Sequence, residues 1–90
     1  MIANTQHNLG KLEDLFATLG YCVRYEKGSF RTAACILQDM HIIVVNKFSN
    51  LEVRIQSLIQ LLRDMPVDPE QFEGKQREFY NLLKKGEETV

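Results

Sequence analysis

The sequence predicts an α+β fold: a helix, a three-stranded antiparallel β-meander, then two further helices. Three observations carry that expectation. Leu9, Leu12, Phe16 and Leu19 recur at helical spacing, three short β-rich stretches lie between Tyr21 and Val45, and a longer apolar stripe begins just after Ser49-Asn50-Leu51-Glu52.

The first helix starts near Asn4 or Thr5 and ends at Gly20, a residue able to take the left-handed conformation past a helix C-terminus. Gly10 interrupts it at a cost of up to ~1 kcal/mol relative to Ala.

Tyr21 to Tyr25 is the first strand, and Lys27-Gly28 after it suits a tight turn. A hairpin centred there pairs Tyr25 with Phe30, Arg24 with Arg31, Val23 with Thr32 and Cys22 with Ala33. A second hairpin centred on Asp39-Met40 pairs Leu37 with Ile42 and Cys35 with Val44, which puts residues 30–37 in the middle of the meander. Alternation gives one face Tyr21, Val23, Tyr25, Phe30, Thr32, Ala34, Ile36, Ile43 and Val45, and the other Cys22, Arg24, Arg31, Ala33, Cys35, Leu37, Ile42 and Val44. Both faces are apolar toward the second hairpin, so both need cover from helices or from a second copy of the chain.

Ser49 and Glu52 have the spacing of a capping box for the next helix, whose stripe is Leu51, Ile55, Leu58, Leu62 and Met65, widened by Ile59 and Leu61. Pro66 ends it. Asp68-Pro69-Glu70 opens the last helix, with Phe72, Phe79, Leu82 and Leu83 on its apolar side and a Glu73–Arg77 pair on its surface. Residues 1–90 form a single domain, with 1–4 and 86–90 as frayed ends.

With 44% hydrophobic and 26% charged residues, the composition is that of an ordinary globular protein. Net charge is −1, and the only net-positive segment, residues 21–48 at +2, falls far short of the basic stripe of a typical nucleic-acid binder. The beginning, Met-Ile-Ala-Asn-Thr-Gln, lacks the features of a signal peptide, and the longest aliphatic run, Ile42 to Val45, cannot span a bilayer. Two cysteines without framework spacing fit free thiols in the cytoplasm.

Motif chemistry is sparse. His7, Cys22, Cys35 and His41 do not have the spacing of a zinc site, no glycine-rich phosphate loop occurs, and the acids fall at caps, turns and solvated helix faces. No cofactor and no catalytic residue is expected. The feature that structure alone disfavours is Arg24 opposite Arg31, since like charges across a ladder repel. With Tyr21, Tyr25 and Lys27 they form a basic, aromatic candidate binding face suited to an anion, a nucleic-acid strand or an acidic partner. The bland reading of the same residues is that the arginines splay into solvent or pair with Glu26 and the aromatics are core.

The order of Ile42-Ile-Val-Val-Asn46-Lys-Phe-Ser-Asn-Leu-Glu-Val-Arg54, strand then polar Asn then capped helix, resembles the core of small zincin-type metallopeptidases over about a third of the chain. Those enzymes carry H-E-x-x-H on that helix. Here Ile59-Gln60-Leu61-Leu62-Arg63 stands in its place, so the resemblance implies a degenerate core without ligands or catalytic glutamate. The chain is also similar to small uncharacterised bacterial α+β proteins, which implies no activity. The leading expectation is a non-enzymatic cytosolic interaction or regulatory module acting as a homodimer, away from membranes. A nucleic-acid or anion-binding domain using the first hairpin comes second, and a metallopeptidase-like core without activity third.

Overall fold

In the computed structural model, which describes residues 3–28, 33–37 and 39–88, helix α1 (Gln6–Thr18) leads into strand β1 (Tyr21–Glu26). Strands β2 (Ala33–Leu37) and β3 (Met40–Asn46) follow, then helix α2 (Leu51–Asp64), a 3₁₀ turn (Pro69–Gln71) and helix α3 (Gly74–Glu88). The fold is α+β, with three helices and one three-stranded sheet among the described residues.

Each end of α1 has a local cause. Thr5 caps its N-terminus by accepting a hydrogen bond from the Asn8 N–H, and Gly20 follows the C-cap residue Leu19 at φ +90°. Leu9, Leu12, Leu15 and Phe16 are buried beneath it. Asn50, rather than Ser49, caps α2: its side-chain oxygen accepts from the Val53 N–H, while the Ser49 hydroxyl donates to the Asn46 carbonyl. The capping box falls instead at the 3₁₀ turn, where Asp68 and Gln71 satisfy one another's backbone. The turn ends at Phe72, so α3 starts at Gly74 and not at Asp68-Pro69-Glu70, leaving Glu73 ahead of the helix while Arg77 donates to the Pro69 carbonyl.

The sheet is not an antiparallel meander. Its order is β1-β3-β2, with β1 parallel to β3 and β2 antiparallel to it, so the central strand is β3 and not the 30–37 segment. Cys22 therefore aligns with Ile42, Val23 with Ile43, Arg24 with Val44 and Tyr25 with Val45, replacing the expected β1–β2 pairs. The second hairpin does form, two residues tighter than expected: Leu37 aligns with Met40 and Cys35 with Ile42, around a turn whose Asp39 has φ +65°.

The physical reason is burial. Ile42-Ile43-Val44-Val45 is the most continuous aliphatic run, and a central strand is the position that covers it from both flanks. Ile42, Ile43 and Val45 are all buried there. The thirteen residues between Glu26 and Met40 allow the crossover that a parallel pair requires, and β2 is built within that crossover. A shift of two residues preserves side-chain alternation, so the described residues keep their expected faces.

One face of the sheet meets the helices. Ile43 and Val45 join Leu9, Leu12, Leu15 and Phe16 of α1, Ile55, Leu58, Ile59 and Leu62 of α2, and Phe72, Phe79, Tyr80 and Leu83 in one core. Helix α3 is held to α1 by a Thr18–Gln76 hydrogen bond of 3.1 Å and to α2 by Arg63, which donates to the Leu83 carbonyl at 3.0 Å.

Candidate functional site

Four of the five residues of the sequence-derived binding face are described, and they do not share one face. Tyr21 and Tyr25 lie on the helix-covered side of β1, whereas Arg24, between them in sequence, lies on the opposite side. Tyr21 is half-buried between the Phe16 ring, centroid to centroid 6.4 Å, and the His41 ring at 5.1 Å. Arg24 is exposed and pairs with Glu26 at 3.3 Å, the arrangement the bland reading describes. Lys27 is exposed after the end of β1, and Arg31 lies outside the described residues. Arg24 aligns with Val44 of β3, so the expected pairing of β1 with β2 is replaced at this position.

Tyr25 is drawn into a different grouping. A cleft of about 500 Å³ is lined by Gln6 and Glu13 of α1, Tyr25 of β1, Lys47 of the β3–α2 connection and Arg54 of α2. The Tyr25 hydroxyl donates a short hydrogen bond to the Glu13 carboxylate. The Arg54 guanidinium lies 5.2 Å from the centre of the Tyr25 ring and donates to the Lys47 carbonyl at 2.6 Å. Burial, then the hydrogen bond to Glu13 and its negative charge, push the Tyr25 pKa well above the usual phenol range, against a smaller opposing pull from Arg54. The Tyr25 hydroxyl is thus committed as a hydrogen-bond donor to Glu13. The grouping ties α1, β1 and α2 together at the end of the parallel strand pair.

Among the described residues no group of three His, Cys, Asp or Glu side chains is placed to hold a metal ion, and no helix is long and apolar enough to cross a membrane. Of the stretch aligned with the metallopeptidase motif, Ile59 and Leu62 are buried in the core. Cys22 and Cys35 are exposed free thiols. Both align with Ile42 from opposite sides of β3, so they stand two strand spacings apart, ~9.5 Å, too far for a bridge within one chain.

The most distinctive surface is the side of the sheet away from the core. On that side of β3 Ile42 is buried and Val44 half-buried, and Cys22, Arg24 and Cys35 on the flanking strands are exposed. Strand β2 is an edge strand of uncharged residues, Ala-Ala-Cys-Ile-Leu. Its Ala34 and Cys35, on opposite faces by alternation, are both exposed, so neither face is covered at the middle of the strand. Met40, at the base of the hairpin, is 54% exposed. The sequence signal for this surface was the two-sided apolar pattern; its exact location depended on strand order. Comparison with protein-family models, with curated proteins and with solved structures finds no match to the chain.

Proposed function

We propose that the protein is a small non-enzymatic interaction module of the cytoplasm that self-associates as a homodimer through its sheet. The observation that carries this reading is the uncovered apolar edge: β2 has no charge along its length and is exposed on both faces at its centre, at Ala34 and Cys35. Such edges are templates for pairing with another strand, and a stable monomer normally blunts them with charge, proline or a covering element. Two exposed thiols are compatible with a reducing compartment.

The polar cleft supports a structural role, since the hydroxyl of Tyr25 is committed to Glu13 and Arg54 bonds the Lys47 backbone. Sedimentation at micromolar concentration should show a species of twice the 10.4 kDa chain mass. A 10.4 kDa species alone, persisting at high concentration, would overturn self-association. Salt-dependent retention on immobilised single-stranded DNA would favour the nucleic-acid reading in its place.

A further inference from the structure

We infer that two copies join by antiparallel pairing of their β2 strands about a two-fold axis at Cys35, making one six-stranded sheet. This rests on the reading of the protein as a self-associating module and specifies how the copies meet. Because Leu37 and Met40 close the tight hairpin, the hydrogen bonds of β2 to β3 fall at positions 33, 35 and 37. The backbone N–H and C=O groups of Ala34 and Ile36 therefore point away from β3, toward the free edge. A second antiparallel β2 matches these groups when Ala34 stands opposite Ile36 of the second copy, which places Cys35 opposite Cys35.

The sequence is self-complementary about that point. Ala33 and Ala34 stand opposite Leu37 and Ile36, small residues opposite large, and β2 carries no charged residue to be set against its like. A two-fold interface needs one segment to complement itself, and this segment does so without bringing like charges together. In this register Cys35 occupies a non-hydrogen-bonded pair, whose Cα atoms lie ~4.5 Å apart, within reach of a disulfide.

The test is thiol cross-linking of the whole reduced protein with diamide. Two S–H bonds break and one S–S bond forms, with two protons and two electrons passing to the N=N bond of diamide to give the hydrazine. A non-reducing gel should show a covalent dimer for the native chain and for Cys22→Ser, and none for Cys35→Ser. Ala34→Pro supplies a second measurement: it removes an edge-facing N–H and leaves the bonds to β3 intact, so it should retain the melting transition and circular dichroism of the fold. Two symmetry-related hydrogen bonds are lost, and dimerisation should weaken by roughly tenfold or more. A dimer by sedimentation that fails to cross-link through Cys35, or is unmoved by Ala34→Pro in a folded variant, would overturn the β2 pairing and leave self-association standing. A native chain that stays monomeric would overturn both.

Discussion

Individual side chains divide here by what burial asks of them. Arg24 and Tyr25 are neighbours in sequence, yet one is solvated beside Glu26 and the other is held between Glu13 and Arg54, because a strand sends successive residues to opposite faces. That separation was legible in the alternation of β1; the partners of Tyr25 were not, since Glu13 and Arg54 come from helices twelve and twenty-nine positions away. Tyr80 presents a different case. It is 1% exposed, packed 5.1 Å from the Phe72 ring, and its hydroxyl finds no hydrogen-bond partner among the described residues. An unsatisfied buried hydroxyl is costly, so Tyr80→Phe should raise stability by about 1 kcal/mol, read as a higher midpoint in urea with an unchanged slope. A loss of stability would show that the hydroxyl is satisfied.

Elements take their boundaries from short-range chemistry, and these were the most readable part of the chain. Thr5 and Gly20 bound α1 as their residue types suggest, and the apolar stripe of α2 turned out to supply four fully buried residues. Where two capping residues stood side by side, the capping-box spacing pointed to Ser49 and the structure uses Asn50: both are good caps, and the Asn46 carbonyl captures the Ser49 hydroxyl. Asn50→Ala should accordingly cost about 0.5–2 kcal/mol by chemical denaturation, with Ser49→Ala costing less. The reverse order would move the cap back to Ser49. Strand pairing was less readable than helix ends, because Lys27-Gly28 is as compatible with a crossover as with a hairpin. The better guide was Ile42-Ile43-Val44-Val45, since a continuous aliphatic run belongs to a central strand and argues against an edge.

At the scale of the whole molecule one core joins every layer, and Leu58 lies in it fully buried among residues from three helices and the sheet. Leu58→Ala should cost about 2–5 kcal/mol, a large share of the ~5–15 kcal/mol that holds a small domain folded. A midpoint unchanged within error would contradict the placement of α2. The Cα radius of gyration, 12.7 Å, is close to the ~12 Å expected of one domain of this length. The strand order also gives assembly a direction. Because β3 sits between two strands that precede it in the chain, β1 cannot find its neighbour until residues 41–46 exist, twenty positions after its own. During synthesis that delay is on the order of seconds, long compared with the microseconds in which the β2–β3 hairpin can close. The β2–β3 hairpin is thus the local pairing of the sheet, and β1 joins it across the crossover.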